Sequence, residues 1–247
     1  MSAIDALKDI KNNLDEIGKY PITFCCIYKD DDLIYLKDML LSLPENCEII
    51  LMKTVVGGLN QVVNAKRNGR KVYAEWHYDN FNYSAARNAC KALATSRVIF
   101  SIDADERLLK HQNEELIKYA LELDKSDFGG LALWVVSLTD RQTQYSCDSV
   151  LRVRIFKNNP EIRWIGIVHE NVEMTIRDMN LKIGHSPILL HHIGYNIGIN
   201  EHYEKVKERI ELQRNDLESL SNDYFFDNFC NDVQTFKNIE RMRAKNE

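Results

Sequence analysis

The stretch Asn82–Arg107, NYSAARNACKALATSRVIFSIDADER, decides how this chain is read. Between Ser84 and Ala94 the small residues Ala85, Ala86, Ala89, Cys90 and Ala94 describe a helix able to approach a sheet closely. Arg97–Ile102 then reads as a buried strand, and it runs into Asp103-Ala104-Asp105-Glu106. In extended backbone, side chains two residues apart point the same way, so Asp103 and Asp105 are expected to project together from the strand end. Two carboxylates held close repel unless a cation stands beside them. Mg²⁺ or Mn²⁺ suits such hard oxygen ligands and keeps positions open for the oxygens of a diphosphate.

Outward from this segment, strand and helix alternate. After Pro21, Ile22–Tyr28 reads as a strand, followed by a helix with Leu33, Leu36, Leu40 and Leu43 on one face and Pro44 at its end. A strand at Glu48–Met52, a Gly57-Gly58 turn, a short helix with Leu59, Val62 and Val63, and a strand at Lys71–Trp76 come next. The alternation predicts an α/β fold of right-handed βαβ units, with a mixed, mainly parallel sheet and helices on both faces. Ligands bind at the carboxyl ends of such strands, which directs attention to the residues after Ile102.

Beyond a helix near Leu108–Leu123 the pattern changes to extended stretches at Gly129–Leu138, Ser149–Lys157 and Pro187–His191, read as an α+β extension on the acceptor side. Glu201–Leu220 is a charged amphipathic helix with Val206, Ile210 and Leu217 on one side, and Tyr224–Phe229 adds aromatics for docking. At the other end Ile4, Leu7, Ile10, Leu14 and Ile17 form one apolar stripe. The expected division is residues 1–20 as a helix packed on the main domain, 21–200 as that domain, and 201–247 as a helical extension.

The 247 residues, 45% of them hydrophobic, are enough to close one well-buried core. A net charge of -5 argues against a global positive field for nucleic acid or anionic membrane. The charged start MSAIDALKDIKNN, and the lack of any apolar run near the roughly 20 residues a bilayer requires, predict no leader and no span. Six cysteines without C-x-x-C spacing point to a reducing, cytoplasmic setting, with Cys25 and Cys26 on opposite faces of a strand.

Three segments together resemble the family 2 glycosyltransferases with the GT-A fold. They are the opening stretch, with S-A-A-R-N before D-A-D-E; LRVRIFKNNPEIRWIGIVHE at Leu151–Glu170; and HHIGYN at His191–Asn196. The resemblance implies transfer of a sugar from a nucleotide-sugar donor, with inversion in a single displacement, and uridine as the usual base. Position by position, it implies that Asp103 contacts the donor ribose and that Asp105 ligates a metal bridging the diphosphate. His192 looks like the further metal or diphosphate ligand, with His191 as the competing choice. Glu170 in V-H-E is the candidate general base for an acceptor hydroxyl or thiol. Alternatively it is a structural partner of Arg152 or Arg154, with His169 orienting it. Arg87 offers a fixed cationic fork to a donor phosphate or a site carboxylate, or forms a buried ion pair. Trp76 and Trp164 are candidates for stacking on a sugar or for the core.

The chain departs from the family pattern in two places. The usual N-E after the first strand is replaced by Lys29-Asp30-Asp31-Asp32, and the acid expected after the second by Lys53 and Thr54. Asp30 or Asp31 partly compensates for the altered nucleobase pocket, and Lys53 is a candidate to face phosphate. Related proteins often continue into helical repeats, so acceptor recognition is expected mostly within the compact domain. The acceptor is a glycan, a lipid-linked glycan or a peptide; a modified base of viral DNA is the alternative, for which Lys66, Arg67, Arg70, Lys71 and Arg241, Arg243, Lys245 would be the basic faces. A D-x-D phosphatase is disfavoured because its nucleophile follows the first strand. A nucleotide-sugar-binding protein without catalysis is the remaining rival.

Overall fold

A computed structural model describes residues 19–58, 60–138, 147–193, 199–219 and 223–244, with the side chains of 138, 147–148, 199–202, 214–219 and 223–226 left aside. The apolar stripe at residues 4–17, Leu59, Lys245 and the Gly194–Asn196 part of HHIGYN lie outside the described residues, and Leu217 and Tyr224–Phe226 are described in backbone only.

The strands are β1 (Thr23–Tyr28), β2 (Glu48–Val56), β3 (Gln61–Asn68), β4 (Lys71–Tyr78), β5 (Val98–Ser101), β6 (Glu106–Leu108), β7 (Phe128–Leu138), β8 (Cys147–Lys157) and β9 (Lys182–His192). The helices are α1 (Leu33–Ser42), α2 (Tyr83–Ala92), α3 (Asn113–Lys125), α4 (Glu173–Asp178), α5 (Ile199–Ser219) and α6 (Asp223–Arg243). All nine strands join one sheet in the order β3-β4-β2-β1-β5-β8-β7-β9-β6. Its centre, β4-β2-β1-β5, is parallel, and β8 pairs antiparallel with both β5 and β7. This is the expected mixed α/β architecture. Successive crossovers step from β1 to one side and then return past it to β5, so a topological switch point lies between those two strands.

The sheet separates two apolar layers. Phe24, Cys26 and Phe100 meet α1 and α3 through Leu36, Met39, Leu116 and Leu123 on one face. On the other, Cys25, Ile50 and Ile99 meet Ala86 and Cys90 of α2. Cys25 and Cys26 thus do face opposite layers, as the period of a strand requires. Alanine and cysteine on the inner side of α2 let it approach β1 and β2 closely; Asn82 caps it by accepting from the Ala85 N–H at 2.8 Å. Trp76 and Trp164 are buried, and Trp164 packs edge-on against Phe156 at 5.0 Å, so both belong to the core.

Two local expectations fail. The short helix expected around Val62 and Val63 is instead β3, hairpinned onto β4. Gly69, with φ +56°, starts the two-residue turn, and Asn64, with φ +52°, sits at a bulge; more and less exposed positions alternate along the strand, as on a sheet edge. Likewise the helix expected from Leu108 starts at Asn113, because Glu106–Leu108 pairs with the end of β9. No described helix is long and apolar enough to cross a membrane.

Candidate active site

The residues after β5 leave the extended conformation at once. The Glu106 N–H donates to the Asp103 carbonyl at 3.0 Å, closing a β-turn over Asp103–Glu106. The Glu106 carboxylate returns to accept from the Asp103 N–H at 2.8 Å. Arg107 wraps the turn, donating to the carbonyls of Ala104 and Glu106 at 2.8 Å and to that of Tyr35 at 2.7 Å. Asp103 and Asp105 therefore do not project together as an extended strand end would have them; the turn sends them to different partners.

Asp103 turns toward two arginines. Arg87, on the inner face of α2 and 7% exposed, donates from Nη2 to Asp103 Oδ1 at 2.8 Å, from Nη1 to Ser101 Oγ at 3.1 Å, and from Nε to Glu170 Oε1 at 2.5 Å. Arg154 donates from Nη2 to Asp103 Oδ2 at 3.2 Å and to Glu106 Oε1 at 2.5 Å. Arg154 reaches this point because the β7–β8 register slips there: Leu131 and Ala132 are adjacent but face Ile155 and Val153, leaving Arg154 as the extra residue of a β-bulge. Burial works to raise the Asp103 pKa, yet Arg87 and Arg154 outweigh it and hold the carboxyl well below its ordinary range. For Glu106, which is 1% exposed, burial dominates and, with the nearby Asp103 charge, raises the pKa to about 7 against the pull of Arg154.

Asp105 faces the other way. His192, the last residue of β9, lies opposite Glu106 in the β6–β9 register, and its Nε2 stands 3.0 Å from Asp105 Oδ2. The Ile193 N–H ties the same junction to the Asp105 carbonyl at 3.0 Å. Of the two adjacent histidines, His192 is the one on Asp105; His191 is opposite Arg107. Burial opposes protonation of His192, but the Asp105 hydrogen bond and the charges of Asp105, Glu106 and Asp103 prevail and raise its pKa.

Asp105 and His192, already in contact, are the two side chains that would hold a divalent ion at this end of the sheet. Among the described residues, no group of three or more His, Cys, Asp and Glu side chains could hold a metal. One carboxylate and one imidazole would leave an ion's other positions to substrate and water oxygens, a donor set that suits Mn²⁺ better than Mg²⁺ with its preference for oxygen alone.

Glu170 is reached by a turn between β8 and α4 in which Gly166 (φ +96°) and His169 (φ +53°) are left-handed. Its ion pair is with Arg87, not with Arg152 or Arg154. A cavity of about 260 Å³ opens on this group, lined by Tyr83, Arg87, Asp103, Arg152, Arg154 and Glu170 among others. Burial, helped by the Glu170 charge, pushes the Tyr83 phenol up to about 12. At the ends of β1 and β2, Asp30 and Lys53 pair with each other, Nζ to Oδ1 at 2.7 Å, on the surface. Burial raises the Asp32 pKa, Lys29 opposes this through its N–H and its charge, and the charges of Asp105 and Asp103 add to the rise. Sequence reasoning missed Glu106 as a member of the group, and offered Arg154 to Glu170 where the bulge gives it to Asp103 and Glu106. The signal for Glu106 was a third acid in a segment that has to close a turn.

Half of the first basic cluster is structural. Arg67 Nη2 donates to the buried Glu48 at 2.6 Å and Arg70 to the Pro44 carbonyl at 2.9 Å. Arg243 lies over the Tyr203 ring at 4.2 Å.

No protein-family model matches the chain. It is similar to a TPR repeat-containing protein of Synechococcus elongatus, 25% identical over 180 residues that cover 70% of this chain and 42% of that protein. The chain thus spans less than half the length of this relative. Among solved structures it is similar to residues 1–349 of S. aureus TarS, with 10% identity, a TM-score of 0.45, and coverage of 87% of this chain and 72% of that one. The same protein in complex with UDP-GlcNAc gives 11% identity, a TM-score of 0.44 and coverage of 87% and 73%.

Proposed function

We propose that this chain is a glycosyltransferase that moves a sugar from a nucleoside-diphosphate donor to a hydroxyl or thiol acceptor, with inversion and with help from Mg²⁺ or Mn²⁺. The observation that carries the reading is the Asp103–Glu106 turn at the carboxyl end of β5, beside the switch point. It holds Asp105 against His192 and leaves Asp103 and Glu170 bridged by Arg87 at a cavity. Asp105 and His192 would hold the ion, which when bound neutralises the charge of the departing diphosphate. Asp103, kept ionised by two arginines, is suited to accept from donor hydroxyls. Arg87 engages Glu170 through Oε1, so the proton of the attacking acceptor would go to Oε2. Displacement on the face opposite the leaving group follows if the acceptor enters from the Glu170 side of the cavity.

The surface pair of Asp30 and Lys53 supports a nucleobase pocket of changed chemistry, so a uridine nucleotide is the first donor to test rather than a settled one. A viral-DNA acceptor gains little support, since Arg67 and Arg70 are committed within the fold. The same altered pocket favours the second reading, a nucleotide-sugar binder without turnover. A screen of sugar nucleotides for thermal stabilisation and donor turnover, with and without Mn²⁺, tests both. Metal-dependent stabilisation with turnover supports transfer; stabilisation with none supports binding alone. If Asp105→Ala kept the parent's metal-dependent donor affinity, the ligand assignment would be wrong.

A further inference from the structure

Glu170 follows His169, a non-glycine residue in the left-handed region at φ +53°, where the side chain meets its own backbone. Such a conformation persists only where the surroundings over-determine it. Here the surroundings come from 63 residues away: His169 Nε2 lies 2.9 Å from Asp232 Oδ2 on α6. Gln213 of α5 donates to the same oxygen at 3.1 Å, and Arg209 of α5 forms an ion pair with Oδ1, Nη2 to Oδ1 at 3.0 Å. The Asp232 side chain is 8% exposed, so a buried carboxylate has both oxygens engaged by three side chains from two other elements, two by hydrogen bonding and one by an ion pair. Arg209 also lines the cavity that contains Glu170. The charged helix pair at the end of the described chain is therefore joined to the site by one buried acid rather than by apolar packing alone.

We propose that Asp232 is a positioning residue. By holding the His169 ring it maintains the left-handed turn that delivers Glu170 to Arg87, and by holding Arg209 it shapes the wall of the cavity. His169 orients Glu170 through the backbone that joins them. The kinetic arm of the test rests on the proposed transfer reaction; the structural arm does not.

The test uses the full chain with Asp232→Ala, Asp232→Asn, and Asp232→Ala combined with either His169→Gly or His169→Ala. Hydrogen exchange should quicken at residues 167–171 in Asp232→Ala while β1 and β5 stay protected. Turnover should fall on the order of a hundredfold in kcat, with donor KM little changed, as expected when a reacting group is misplaced by about 1 Å. Asp232→Asn, which keeps one accepting oxygen, should recover part of the loss and serves in place of the alanine variant if that fails to fold. Glycine adopts the left-handed region without an anchor, so His169→Gly should restore kcat in the Asp232→Ala background and His169→Ala should not. Unchanged exchange at residues 167–171, or equal activity of the two double variants, overturns the proposal. If the parent turns over no sugar nucleotide, the transfer reading falls, while the exchange result still decides whether Asp232 holds the turn.

Discussion

Two acidic groups sit at opposite ends of the same parallel strands. Glu48, the first residue of β2, is 0% exposed and accepts from the Thr23 hydroxyl at 2.5 Å, the Thr95 N–H at 2.8 Å, the Thr95 hydroxyl at 2.9 Å and Arg67 at 2.6 Å. Every lone pair there is directed at the protein, and the group clamps β1, β2, β3 and the loop before β5. At the carboxyl ends, Asp103, Asp105, Glu106 and Glu170 are also held by arginines and a histidine, but here Asp103 and Glu170 line a cavity. Strong pairing is common to both, although in the second group only Glu106 is fully buried. What separates a structural clamp from a candidate site is the end of the sheet on which it sits, and whether its remaining polar capacity is turned toward solvent-accessible space.

This contrast can be broken or sharpened by substitution. Glu48→Ala should cost about 3–5 kcal/mol of stability in denaturant titrations, because it strands the partly buried Arg67 and three donors from Thr23 and Thr95. The folded fraction should keep its donor-dependent thermal shift; loss of donor binding in folded protein would abolish the distinction. Glu170→Gln should do the reverse: an amide oxygen still accepts from Arg87, so melting should barely move, while kcat falls roughly 10²–10⁴-fold as for loss of a general base. Equal activity of parent and variant would remove Glu170 from that role. Asp105→Asn should weaken donor binding in Mn²⁺ by about 1.4 kcal/mol or more, a tenfold change in Kd, with a much smaller effect in chelator. Equal losses under both conditions would point to a contact that needs no ion. The smallest effect belongs to Lys53→Ala: its pair with Asp30 is exposed, so stability should change by no more than about 1 kcal/mol. A selective loss of donor affinity, read by isothermal titration, would place Lys53 on the nucleotide.

The same contrast explains what could be read in advance. Alternation of strand and helix, the small-residue face of α2, and the opposed placement of Cys25 and Cys26 depend on local periodicity, which a sequence displays directly. Position at the end of β5 followed from the same pattern. The directions of Asp103 and Asp105 did not, because a single i to i+3 hydrogen bond replaced the extended backbone on which a period of two depends. Arg67 offered no sign of its role either, since its partner Glu48 reads as an ordinary polar residue at the start of a strand.

By itself, then, the sequence determined the α/β class, the place where the acids emerge, and the set of residue types at that place. Which of them meet was decided only in three dimensions. His192 rather than His191 faces Asp105 because antiparallel pairing of β6 with β9 sets the register; Arg154 enters the group because a bulge in β8 redirects it. Glu170 finds Arg87 across 83 residues and His169 finds Asp232 across 63. Register, bulges and long-range ion pairs are properties of neighbouring elements, and no single segment carries them.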